Sequence, residues 1–277
     1  MFNLIQNSKF KMKKVFFTIM AAVVLMSCGG SANDPEISAN DKKAMKKVSS
    51  EAVAQLGENK ANVNTYLTSA GYVKVDANVN LYMPAPARKK GIETAKASEA
   101  DTINYVYGVN VNAISDYSSS QAAIESALGD NGAVIALQAI FYDGKLVELE
   151  SGVLMNVKSN IKPVFMEISD SLNNAIPADA VQTQWYGFTN DETECADHAE
   201  FDATIAGSQA IQAQEMAIVV TKVDVSTMTI EGYGYANVLS VPTDEEAAAM
   251  KEEIGFPYAS VAFGVLDYSW YAMNHSK

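Results

Sequence analysis

Residues 134–157 read VIALQAIFYDGKLVELESGVLMNV. Asp143-Gly144 interrupts two apolar-rich runs, Val134–Tyr142 and Lys145–Val157. An Asp-Gly pair accepts the positive φ angles of a type I′ turn, whose twist matches that of the antiparallel strands on either side. The stretch therefore predicts a β-hairpin. Alternation along its second strand sends Val147, Leu149 and Val153 to one face and Glu148 and Glu150 to the other.

Downstream of the hairpin, Ile161, Val164, Phe165, Ile168, Leu172 and Ile176 fall on one stripe of a helix over 160–175, with Pro163 in its first turn and Pro177 beyond its end. Ser159 reads as its cap. Strand-like runs follow near 181–188, 201–206, 214–225 and 227–239. Thr243 and Glu246 form a capping box for a helix at 244–253, and an aromatic strand is expected over 258–271. Upstream, Ile103, Tyr105, Tyr107 and Val109 alternate as in a strand, and Ser118–Leu128 fits a helix closed by Gly129. Residues 41–100 read as a mostly helical segment. It has one helix from Asp41 capped by Asn40, a second over 60–69 that stops at Gly71, and a loop over 84–100. Strands outnumber helices after residue 100 and often lack a crossover helix between them. The expected fold class is α+β, a mainly antiparallel sheet with several amphipathic helices over 101–277. The likeness between residues 105–110 and 233–238 is too faint to mark a repeat.

The N-terminus carries a different signal. Lys9, Lys11, Lys13 and Lys14 precede an apolar run from Val15 to Met26, broken only by Thr18, and Ser27-Cys28-Gly29-Gly30 follows. A basic start, an apolar stretch and a small-residue cleavage site define a secretory signal over 1–27. As a helix the run spans about 18 Å, short of a bilayer core of roughly 30 Å. Met12 offers an alternative start, since Met12-Lys13-Lys14 already supplies the basic region. Leu25-Met26-Ser27-Cys28 resembles the lipobox of bacterial lipoproteins. That resemblance, confined to the leader, implies cleavage after Ser27, a diacylglycerol thioether on Cys28 and acylation of the new amino group. Two or more acyl chains anchor stably. Residues 28–40, small and polar, then serve as a tether.

Removing the leader takes four lysines and no acid, so the formal charge moves from −13 to −17. Such a surface disfavours nucleic acid and anionic headgroups. Cys28 and Cys195 are the two cysteines, and lipidation of the first leaves no disulfide framework.

Chemistry-bearing residues are densest over 191–202, where six carboxylates surround Cys195 and His198. Asp191, Glu194, Cys195, Asp197 and His198 form a candidate metal set. Oxygen ligands suit calcium, and Cys195-x-x-His198 with a carboxylate suits zinc. The alternative is an exposed acidic loop with no cofactor. Trp185 and Trp270, each among further aromatics, are candidates for a platform that stacks sugar rings or peptides, against the plainer role of core filling. Ser159-x-x-Lys162 has acyl-enzyme spacing but no Lys-Thr-Gly accompanies it. No phosphate-cradling or nucleophile-elbow motif occurs.

The sequence thus points to an envelope lipoprotein, at the outer membrane on its periplasmic or surface face, with a non-catalytic binding or envelope-assembly role. Expected partners are the membrane, through the N-terminal lipid, and a glycan, peptide or envelope protein. The competing reading is a metal-dependent or hydrolytic enzyme built on residues 191–202.

Overall fold

The computed structural model describes residues 37–75, 100–129, 132–188, 194–207 and 212–275. The expected leader, Cys28 and most of the expected tether lie outside them. Helices α1 (Ala39–Val48) and α2 (Lys60–Ser69) flank a short 3₁₀ helix, Ser50–Gln55. Then come β1 (Val73–Val75), β2 (Asp101–Tyr107), α3 (Tyr117–Gly129), β3 (Ala133–Tyr142), β4 (Lys145–Asn156) and α4 (Lys162–Asn174). The second half runs β5 (Val181–Phe188), α5 (His198–Gly207), β6 (Gln212–Asp224), β7 (Thr229–Ser240), α6 (Asp244–Ile254), β8 (Tyr258–Asp267) and α7 (Tyr268–His275). All eight strands form one antiparallel sheet in the order β1-β2-β3-β4-β8-β7-β6-β5. The chain is an α+β protein, as its strand-rich second part implies.

The Asp-Gly hairpin forms as read. Asp143 and Gly144 take φ values of 49° and 74°, and Tyr142 pairs with Lys145. One detail differs. The register slips between Ile140 and Phe141, so Phe141 faces Leu146 while Ile140 faces Glu148. Val147 is the extra residue of a bulge, and Leu146 takes its place in the core, fully buried.

One face of the sheet carries the main core. Leu137, Leu149, Val153, Val261, Phe263 and Tyr235 pack there against α1, α2, α4 and α5. The N-terminal helices belong to this core: Gly57 N–H donates to the Leu146 carbonyl and Leu146 N–H to the Glu58 carbonyl, both at 2.8 Å. The opposite face carries smaller clusters. Ile124 and Leu128 of α3 and Ile254 of α6 pack with Val106, Val134, Leu154 and Tyr258 at one end. Tyr268 and Tyr271 of α7 pack with Met216, Ile218, Ala236 and Leu266 at the other.

Helix α4 buries the stripe expected of it. Its N-cap is Ile161, without a side-chain cap bond, so Ser159 is not the cap; Ser159 is buried just before it. Ser38, not Asn40, caps α1 by accepting from Asp41 N–H. The Thr243–Glu246 capping box on α6 is present in full. Two strand expectations are corrected. Residues 201–206 lie in α5, whose Phe201 and Ile205 are one turn apart and buried together. The last strand ends at Asp267, whose Oδ1 accepts Trp270 N–H at 3.0 Å and starts α7.

Two halves of the chain repeat one order of elements. β2-α3-β3-β4-α4 and β5-α5-β6-β7-α6 lie on either side of β8, related by a pseudo-two-fold along that strand. The operation exchanges the faces: α3 corresponds to α5 and α4 to α6, each pair on opposite sides of the sheet. Residues 105–110 begin at the end of β2 and 233–238 lie in β7, which do not correspond, so their likeness is unrelated to this symmetry.

Candidate functional site

Asp197, Glu200 and His198 from the acidic stretch are explained by the start of α5. Asp197 Oδ1 accepts Glu200 N–H at 2.9 Å, and Glu200 Oε2 accepts Ala196 N–H at 2.6 Å. This is reciprocal capping, with two acids at the positive end of the helix. Cys195 is buried in the main core, Glu194 is exposed beside Gly187, and His198 points inward. Asp191 lies outside the described residues. Among the described residues no three His, Cys, Asp or Glu side chains are placed to hold a metal ion, so Glu194, Cys195, Asp197 and His198 are not brought together as a ligand set.

His198 enters a largely buried polar network. Ser169 Oγ on α4 donates to Glu215 Oε2 at 2.5 Å and lies 2.8 Å from His198 Nε2. Asn237 Nδ2 donates to the Phe165 carbonyl at 3.1 Å and approaches Glu215 Oε1 at 3.5 Å. Ser169, Glu215 and Asn237 are fully buried. Serine, histidine and glutamate are all present, but in the wrong order for a nucleophile. In a triad the hydroxyl gives its proton to the histidine and the carboxylate holds the far ring nitrogen. Here Ser169 Oγ donates to Glu215 rather than to the ring, whose Nε2 lies 2.8 Å away. The network satisfies a buried carboxylate under α4 and α5. Ser159 and Lys162 share no hydrogen bond among the described residues, and burial lowers the Lys162 pKa.

The other face of the sheet carries an open arrangement. Asn104, Gln138, Glu150, Gly264, Ala236 and Met216 pair in turn across β2, β3, β4, β8, β7 and β6 and share one row. Beside it run Ala136, Gly152 and Ala262. Ala136, Gly152, Ala236, Ala262 and Gly264 among them are small, and Ala136, Gln138, Glu150, Gly152, Ala262 and Gly264 keep partial exposure. α3 and α6, with Leu154 and Tyr258, cover one end of the strands, and α7 covers the other. Among the described residues no helix covers the middle of this face, which leaves a groove across the strands there.

No known family, curated protein or solved structure matches the chain.

Within the groove Glu148 and Glu150 stand two residues apart on one strand face, their side chains hydrogen-bonded to each other. Desolvation pushes Glu148 well above the ordinary glutamate range, and the neighbouring charge of Glu150 pushes it further; the Trp270 indole, donating to Glu148, acts in the opposite direction. Burial also raises Glu150. Gly264 opposite Glu150 gives the carboxyl room, since a Cβ there would lie 3.2 Å from the Leu149 carbonyl oxygen and 3.9 Å from Glu150 Cγ. Trp270 is buried, its ring 5.0 Å from that of partly exposed Tyr142. Of the two tryptophans singled out in the sequence, Trp270 therefore reaches this groove from a helix rather than from the expected strand. Trp185 lies on edge strand β5 opposite Met216, and its side chain is outside the described residues.

Glu148, Glu150, Asn104 and Gln138 were not evident as site residues. The one sequence signal was Glu-x-Glu followed by Gly152 inside an otherwise apolar strand.

Proposed function

We propose that this chain is a lipid-anchored protein of the bacterial cell envelope, held at the outer membrane through Cys28, whose folded part binds a ligand without catalysis. The observation that supports binding is the cross-strand groove, with a small-residue floor, an aromatic wall and paired carboxyls at its base. Proteins bury carboxyl groups side by side at a cost, and such perturbed groups gather at functional sites. The histidine–serine–glutamate network does not favour a nucleophile, because Ser169 Oγ has no accessible surface and donates to Glu215. Gly152 provides the test, since nothing lies within 4 Å of where its Cβ would stand. Gly152→Leu fills the groove while the carboxyl pair stays intact. In thermal-shift screening against glycan and peptide panels, a ligand that stabilises the native chain and not this variant supports the reading. No stabilising ligand, or equal stabilisation of both proteins, overturns it.

A further inference from the structure

Hydrogen-bonding balance in the groove is one-sided. Asn104 is 6% exposed, and its Oδ1 has no hydrogen-bond partner. It shares a row and a face with Gln138 and Glu150, two strands from the latter, or about 10 Å at the usual strand spacing. Glu148 and Glu150 add carboxyl oxygens to this acceptor surplus. Among the described residues no lysine or arginine pairs with either carboxyl, and besides the bond between the two the Trp270 indole donates to Glu148.

We propose, resting on the binding function above, that the groove receives an organic cation, an ammonium or guanidinium, between Glu148 and Glu150, on a ligand with a second donor that reaches Asn104. An ammonium carries three donors and a guanidinium five, and neither carries an acceptor. A neutral sugar brings an acceptor with every hydroxyl and would set lone pairs against carboxyl oxygens. The spacing of about 10 Å fits a lysine or arginine residue, whose extended side chain and backbone N–H are separated by a comparable reach. It also fits a free polyamine. Trp270 and Tyr142 lie beside the pair and favour a cation electrostatically at their faces. The acidic domain as a whole attracts cations toward its surface. Two crowded carboxyls that share a proton carry one net negative charge. A monocation that displaces this proton to solvent leaves the site at the same net charge, one positive charge entering as one leaves.

The test is calorimetric titration of the full chain in detergent with N-acetyl-lysine-methylamide, N-acetyl-arginine-methylamide and spermidine, each in two buffers of different ionisation enthalpy. Binding of at least one cation with release of about one proton is expected, and which cation binds tells peptide from polyamine. The double variant Glu148→Gln, Glu150→Gln should weaken binding at least tenfold and abolish proton release. Asn104→Leu should weaken it less. A circular dichroism spectrum unchanged by the isosteric glutamines checks that the fold persists. Binding of neutral sugars with no response to any cation would overturn the cation while leaving the binding function intact. Stoichiometric calcium uptake in place of organic cations would also overturn it. No binding of any probe would refute both readings, as would affinity unaltered in the double glutamine variant.

Discussion

Ser169 Oγ stands 2.5 Å from Glu215 Oε2, and the two residues, 46 positions apart, are both without accessible surface. A buried carboxylate that loses its strongest donor keeps the full penalty of desolvation. Ser169→Ala should therefore lower stability by about 1–3 kcal/mol, more than a surface alanine does. Urea unfolding measures this. A midpoint unchanged from the parent protein would show that the hydroxyl contributes nothing there.

The carboxyl pair in the groove has an opposite pH signature from most acids. Glutamate titrates near 4.5 when unfolded, and both Glu148 and Glu150 titrate higher in the fold. Above the unfolded value, the folded state holds more protons than the unfolded one. Stability is lost as pH rises from the ordinary glutamate range to the raised folded values, and below that window nothing is lost. Glu148→Gln should flatten this decline and raise Tm at neutral pH; relief of about 1 kcal/mol corresponds to about 2–4 °C in a domain of this size. Scanning calorimetry from about pH 4 to about pH 8 would detect it, and a Tm that falls at neutral pH would contradict the assignment.

Glycines separate packing from space. A Cβ on Gly232 would sit 2.1 Å from the Val219 carbonyl oxygen and 3.0 Å from Val220 Cα, across the β6–β7 pair. Gly232→Ala should cost about 1–3 kcal/mol through forced strand separation. Gly152→Ala, with open space at its Cβ, should stay within about 0.5 kcal/mol of the parent protein. Equal Tm losses in the two variants would argue against an open groove floor.

Asp197 distinguishes a cap from a ligand. As the cap of α5, its replacement by alanine should cost about 0.5–2 kcal/mol. Calcium and zinc should leave the melting of both proteins where it was. A metal-dependent rise in Tm, lost in Asp197→Ala, would restore the acidic stretch as a metal site.

Cys28→Ala should abolish acyl labelling of the expressed protein and release it from membranes into the soluble fraction. Labelling that persists would remove the lipid anchor from the account.

Elements governed by local chemistry were legible in the sequence. Asp143-Gly144 defined its turn, Thr243–Glu246 its helix start, and Val164, Phe165, Ile168 and Leu172 their buried stripe. Where two local readings competed, the weaker cue won. Asp197-x-x-Glu200 is a capping signature, but the surrounding carboxylates read as an exposed loop or a ligand set, and the short apolar pair Phe201–Ile205 read as strand. Tyr268, Trp270 and Tyr271 have strand propensity yet follow the Asp267 cap into a helix. The groove was illegible for a different reason. Glu148 and Glu150 alternate away from Leu149 like any solvated strand face. Only the pairing of β4 with Gly264, and Trp270 from α7, both more than a hundred residues later, turns that face inward. Register between distant strands is a property of the assembled sheet and leaves no local trace.

The central place of β8 bears on the order in which the sheet can close. It lies between β4 and β7 and sends Val261, Phe263 and Val265 into the core, yet it is the last strand made. Until residues 258–267 emerge, the sheet consists of two blocks, β1–β4 and β5–β7, with no shared seam, each with an unpaired edge where β8 belongs. Cooperative closure of the sheet therefore waits for β8, which follows the seven other described strands.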